Sequence, residues 1–224
     1  MPITVKIDKL IRSRRRTIGL TITSDARLVV RAPHSTPAHE IERLISKKQR
    51  WINQKQEFFR KRPLHTPKQF IEGEEFLFLG ESYPLHITQN LPKAVVLDSA
   101  LMISQAVLKN AADHIRHWYE QQALEYISQR AAYYAELAGL AYRSVKVNNA
   151  KGRWGSCGHK DTLNFTWRLI MAPPRVIDYV VVHELMHLKQ KNHSRKFWDE
   201  VKIIISDYQQ DEQWLKDHSH HLRF

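Results

Sequence analysis

The sequence predicts an α+β chain in two parts: an amino-terminal β-rich domain with one long helix over residues 1–104, then a compact helical domain with a small sheet over residues 105–224. Three observations point there. Period-two alternation recurs in both halves, apolar residues fall at helical spacing over 36–60 and 104–138, and no internal repeat or low-complexity linker interrupts them. With 42% hydrophobic residues, a chain of 224 residues has enough apolar surface for a true core.

The elements follow in order. Thr17 to Ile22 alternates, Ser24-Asp25-Ala26 reads as a turn, and Leu28 to Arg31 returns, which predicts a hairpin. Thr36-Pro37 starts a helix running to about Arg60, with Ile41, Leu44, Ile45, Trp51 and Ile52 spaced as a buried stripe and Pro63 and Pro67 beyond its end. Phe76 to Phe78 and Tyr83 to Ile87 flank Gly80-Glu81-Ser82 as a second hairpin, and Val95 to Leu97 with Leu101 to Ile103 suggest a further pair. A long helix is predicted from Ser104 through Ala138, with Val107, Ile115, Trp118, Leu124, Ile127, Ala131 and Tyr134 on its inner stripe and Gly139 as its stop. Val145 and Val147 suggest a strand. Three of the 7 Gly crowd at Gly152, Gly155 and Gly158, and Leu163, Phe165, Trp167 and Leu169 then alternate with Asn164, Thr166 and Arg168 as a half-buried strand. Pro173-Pro174 opens the next helix, another runs from Ser194 to about Tyr208, and Asp217-His218-Ser219-His220-His221 reads as a flexible polar terminus.

His183-Glu184-Leu185-Met186-His187 carries the chemistry. Two histidines four apart on a helix present both imidazoles on one face, where they can hold one metal ion, and the glutamate between them lies beside it. With 13 His and 13 Glu in the chain, chance supplies roughly 0.04 such matches. The apolar run Val180-Val181-Val182 just before it fits a buried helix, although a β-branched run alone also fits a strand. A catalytic zinc takes three protein ligands and leaves a fourth position for water. His193 lies at the offset of the last histidine in H-E-x-x-H-x-x-G-x-x-H, with Gln190 where that pattern has Gly. Asn192 is then expected to supply left-handed backbone at the turn, and Ser194 to cap the next helix. The competing third ligand is an acid, Asp199 or Glu200.

Arg153-Trp154-Gly155-Ser156-Cys157, Asn164 through Pro174, Ile177 through His187, Asn192-His193-Ser194 and Phe197-Trp198 together resemble the YgjP-like metallopeptidases. These are small zincins related to the minigluzincins, similar in their compact catalytic domains to the SprT-like and WLM metalloproteases. The match is dense from about 146 to 198 and looser upstream, in Arg14-Arg15-Arg16, the Trp51 helix, Phe78-Leu79-Gly80 and Tyr83-Pro84-Leu85. The resemblance implies a zincin-like metallopeptidase domain with an active-site helix and small sheet over 105–224. It also implies His183, His187 and His193 as Zn2+ ligands and Glu184 as catalytic base.

On that reading zinc lowers the pKa of its water to roughly 7 and Glu184 takes the proton as a peptide carbonyl is attacked. Tyr179, Arg153 and His159 are candidate oxyanion donors by their place in the motif-rich region. The Gly-rich stretch or its neighbour is a candidate sheet edge for an extended peptide or protein substrate. Cys157, the sole cysteine, excludes an intramolecular disulfide and is expected to be a buried structural thiol. Met1 to Lys6 lack the apolar run of a signal peptide and no segment approaches the ~20 apolar residues of a membrane span, so a cytoplasmic protein without a membrane partner is expected. The net charge is +12, of which residues 1–105 contribute +8 and residues 106–224 +4. Arg12, Arg14, Arg15 and Arg16, with Lys47, Lys48, Arg50, Lys55, Arg60, Lys61 and Arg62, suggest a phosphate-binding surface. The alternative function is therefore a nucleic-acid-associated binding module, or a DNA-associated protease, whose metal site is structural or vestigial.

Overall fold

A computed structural model describes residues 5–23, 25–61 and 67–222; Pro63, predicted to lie beyond the first helix, falls outside them. Among the described residues are five α-helices and three small sheets, so the α+β class holds. The chain divides into two compact units, Met1–Thr66 and Pro67–Phe224, rather than at 104/105. The physical reason is the core: Phe76, Leu85, Val95, Leu101 and Ile103 are buried with the helices that follow, not with residues 22–52.

In the first unit β1 (Lys9–Ser13) pairs in parallel with β3 (Leu28–Pro33), and β2 (Gly19–Ile22) pairs antiparallel on its other side. The predicted hairpin is β2–β3. Helix α1 (Ala38–Arg60) buries Ile41, Ile45 and Ile52 against Ile22, Leu28, Val30 and Ala32, at the spacing a helical stripe requires. Trp51, predicted in that stripe, is 38% exposed because it lies about 100° round the helix from Ile52.

The second unit opens with β4 (Glu75–Phe78), β5 (Glu81–Thr88), β6 (Val95–Leu97) and β7 (Leu101–Ser104), in the order β4-β5-β7-β6. The β4–β5 hairpin turns on Leu79 and Gly80, with φ of 49° and 86°, the paired left-handed residues of a tight two-residue turn. Its tip donates Leu79 N–H to Ile170 O at 2.8 Å and Gly80 N–H to Met171 O at 3.3 Å; a Cβ on Gly80 would stand 3.0 Å from Pro173. The hairpin is thus docked on the segment that launches the metal-motif helix.

The long helix starts later than predicted. Gln105–Asn110 form a 3-10 turn and α2 runs Ala111–Ala138, closed by Gly139 in the left-handed conformation with Leu140 N–H returning to Ala135 O at 2.8 Å. Its buried stripe is Ile115, Trp118, Tyr119, Ala123, Ile127, Ala131 and Ala135; Leu124, adjacent to Ala123, is 45% exposed. β8 (Ser144–Asn148), β9 (Gly155–Cys157) and β10 (Thr162–Thr166) form a sheet of order β8-β10-β9. The alternation predicted to continue to Leu169 ends at Thr166. Trp167–Met171 instead make a 3-10 turn with all five residues buried, which alternation with a solvent face does not describe.

Helix α3 (Pro174–Met186) has Pro at its first position and nine buried residues. Helices α4 (Arg195–Ile204) and α5 (Tyr208–His218) close the chain. The predicted Ser194–Tyr208 helix is α4, which ends at Ile204, and α5 beyond it is a further helix that was not predicted. The terminus read as flexible holds the end of α5, and Leu222 beyond it is fully buried. No helix among the described residues is long and apolar enough to cross a membrane.

Candidate metal centre

The last turn of α3 carries His183 and Glu184, and His187 sits at its C-cap. The helix then tightens, with Leu188 N–H bonded to Leu185 O and both Lys189 and Gln190 N–H to Met186 O. This turn brings Gln190 O to 3.0 Å from His187 Nδ1, which donates to it and leaves Nε2 unprotonated and able to accept a metal. The chain comes back without the left-handed residue expected at Asn192, which is absent from the positive-φ residues. Asn192 Oδ1 instead accepts the Ser194 N–H at 3.1 Å, and Ser194 stands at the N-cap of α4 without a side-chain cap bond. His193 is thereby folded over His183, their Nε2 atoms 3.0 Å apart.

Ligand atoms of His183, His187 and His193 all lie within 4.8 Å of one another. Asp199 and Glu200 lie elsewhere: Asp199 lies 4.0 Å from Arg195 and Glu200 is 3.1 Å from Lys189 Nζ. Phe197, fully buried on α4, supports all three rings, with centroids 4.6 Å from His187 and 4.9 Å from His183 and His193. Burial, and then the neighbouring imidazoles, drive the pKa of His183 down to about 3; burial likewise lowers that of His187. Both rings are held neutral, the form a metal requires.

Glu184 is 5% exposed and rests directly on β9. A Cβ on Gly155 would lie 2.6 Å from its Cγ and Oε1, so this position accepts the carboxylate only as glycine. Burial raises the Glu184 pKa to about 7, opposed by the Cys157 backbone N–H and the charge of Arg153. Glu184 Oε2 and His183 Nδ1 are buried without a hydrogen-bond partner. Imidazoles converging on one point, with the unsatisfied carboxylate oxygen of the adjacent Glu184 lining the same cavity as His183, fit a bound cation and its polar partner.

Thr166 N–H bonds Trp154 O, and Gly158 N–H bonds Thr162 O, so the backbone of Gly155 and Cys157 between them faces away from β10. A cavity of about 390 Å³ adjoins this edge, lined by Trp154, Tyr179, His183, Glu184 and, from α5, Glu212 and Leu215. The α5 wall is the part that sequence reasoning missed; its signal was Tyr208, Asp211 and Leu215 at helical spacing. Tyr179 is 5% exposed and stacks on Tyr208, whereas Arg153 and His159 are exposed. Cys157 is half-buried, outside the histidine cluster, its thiol pKa raised by burial. His218 stacks on Trp214 and donates Nδ1 to its carbonyl, so it belongs to α5 and not to the cluster.

An α+β scaffold carrying three clustered imidazoles and a buried glutamate at the end of one helix defines a protein with a candidate histidine metal centre. The chain belongs to the YgjP-like family, whose metallopeptidase-domain model matches residues 16–218, and it is thus a metallopeptidase-family hydrolase. No curated protein matches it. Two similar solved structures are the metallopeptidase zymogens of Pyrococcus abyssi abylysin and Methanocaldococcus jannaschii jannalysin. The first is 20% identical with a TM-score of 0.38, over 40% of this chain and 90% of that one; the second is 23% identical with a TM-score of 0.36, over 40% and 91%.

Proposed function

We propose that the protein is a zinc peptidase in which His183, His187 and His193 hold the metal and Glu184 is the general base. The observation that carries this reading is the convergence of the three imidazoles, with the adjacent Glu184, whose Oε2 is buried and partnerless, lining the same cavity as His183. Zinc held there supplies Lewis acidity, lowering the pKa of water to about 7 and polarising a peptide carbonyl. Glu184 takes the proton from water at Oε2 and passes it to the leaving amine, a role suited to a carboxyl whose pKa burial raises to about 7. The outward backbone of Gly155 offers an extended peptide one more strand, which sets a scissile bond beside Glu184.

The test is Glu184→Gln in the zinc-loaded protein, assayed on an unstructured protein substrate. Hydrolysis is expected to fall by at least ~10²-fold, the scale of a lost general base, with bound zinc unchanged. Full activity in that variant overturns the assignment.

A further inference from the structure

The positive charge of the chain belongs almost wholly to its first unit. Residues 1–66 hold 16 Lys+Arg against 5 Asp+Glu, a surplus of 11, whereas residues 67–224 hold 19 against 18. A surplus of that size in so small a unit repels itself and attracts counter-anions.

Its placement is ordered. With Ile41, Ile45 and Ile52 buried on the sheet, the opposite face of α1 presents Arg43, Lys47 and Arg50 at i, i+4 and i+7, all exposed. Lys48 and Lys55, both exposed, lie together on one side of this row, about 110–130° round the helix and nearer the buried stripe, with exposed Trp51 between them and the row. Arg43, Lys47, Lys48 and Arg50 have no ion-pair partner among the described residues, whereas Lys61 pairs with Glu57 and Arg27 with Asp25. Arg12, grouped with these cations on sequence, works inside the fold, donating Nη1 to the carbonyls of Pro33, His34 and Thr36.

We propose that this face of α1 binds the phosphate backbone of double-stranded nucleic acid without reading its sequence. Seven residues of helix rise about 10.5 Å, which is the axial length of about three phosphates on one strand. Lys and Arg side chains in such a row neutralise phosphates and carry no base information. An anionic membrane is disfavoured because the apolar face α1 would insert is already buried against β3. A single strand calls for a platform of aromatic rings, and of Trp51, Phe58 and Phe59 only Trp51 is exposed.

The experiment is fluorescence anisotropy of the full chain with a random-sequence 20-base-pair DNA duplex, from 50 to 200 mM NaCl. Contacts from Arg43, Lys47, Lys48, Arg50 and Lys55 give a log–log salt slope of about −4.5, an affinity loss of about 500-fold across that range. The triple variant Arg43→Gln/Lys47→Gln/Arg50→Gln, which keeps good helix formers, is expected at a slope of about −1.8 and a loss of about 12-fold. Its peptidase activity and helical circular dichroism stay unchanged. Lys109→Gln/Lys146→Gln/Lys202→Gln removes the same charge from exposed sites of the second unit and is expected to leave the slope at its original value. Absence of salt-dependent binding overturns the proposal, as do equal slope changes in the two triple variants. Tighter binding to single-stranded DNA or to phosphatidylserine vesicles than to the duplex also overturns it.

Discussion

Gly155→Ala tests the site without replacing a single polar atom in it. The backbone at Gly155 lies in a strand, outside the left-handed region, so alanine is conformationally acceptable there. The added methyl would lie 2.6 Å from Glu184 Cγ and Oε1 and 2.8 Å from Cδ. Ordinary carbon contacts begin near 3.5 Å, so the carboxylate must retreat by about 1 Å. A displacement of that size at a reacting group costs about 10²-fold in rate, while overpacking costs about 1–3 kcal/mol in stability. The assay is kcat/KM on an unstructured protein with the zinc-loaded variant, alongside zinc content and thermal unfolding. Zinc content is expected to be retained because the three atoms nearest the new methyl all belong to Glu184 and none to the imidazoles. Gly152→Ala is the control, since a Cβ there meets nothing within 4 Å. Wild-type activity in folded Gly155→Ala would refute the placement of Glu184 as the base.

Two further outcomes concern stability. In metal-free protein, the native carboxyl of Glu184 is raised from its ordinary value to about 7, so it binds a proton that the unfolded chain releases. Its contribution is therefore present below about pH 4.5 and lost as pH rises to about 7, by about 3 kcal/mol. His183, lowered to about 3, acts in the opposite sense and loses stability as pH falls below 6.5. The difference between wild type and Glu184→Gln in urea unfolding isolates the first effect, and a difference that does not vary from pH 4 to 8 contradicts the burial argument. Separately, Arg130 grips Asp178 with Nε at 2.6 Å and Nη2 at 2.8 Å, joining α2 to α3. Asp178→Asn is expected to lower stability by about 2 kcal/mol in the same assay, and no change would mean the pair contributes nothing net.

What was legible in the sequence was what short-range periodicity and ligand spacing encode. Ile41, Ile45 and Ile52 announced the buried face of α1, and the offsets from His183 to His187 and His193 announced the cluster. Offsets alone did not reveal how His193 returns: the turn is closed by the Asn192 side chain and by Gln190 O, not by left-handed backbone. Residues buried on every side misled for a different reason. Trp167 and Leu169 alternate with Thr166 and Arg168, yet all four are buried, because the segment turns between α2 and the β4–β5 hairpin instead of facing water. The unit boundary was missed because strand pattern says which residues pair and not whose core they share. The α5 wall escaped because its few apolar residues stand among Gln, Asp, Glu and Lys, and its burial comes from partners on α3.

The metal helix is held differently at its two ends, and that division accounts for the site. Toward its start, Arg175 pairs with Asp211 of α5 at 2.6 Å and Asp178 with Arg130 of α2, while the Gly80 turn fixes the residues before it. These contacts span three neighbouring elements and leave α3 little freedom to slide. Its far end is held by packing and not by ion pairs: among the described residues none from His183 to His187 forms an ion pair, Phe197 supports the three rings, and His183 Nδ1 and Glu184 Oε2 lack partners. A buried carboxylate oxygen left unsatisfied, as Glu184 Oε2 is, is costly, and that cost is offset when a cation and its polar ligand enter. Rigid anchoring at the start of α3 is therefore what permits an unsatisfied cluster at its end, since a helix free to shift would relax by pairing His183 and Glu184 with nearby backbone.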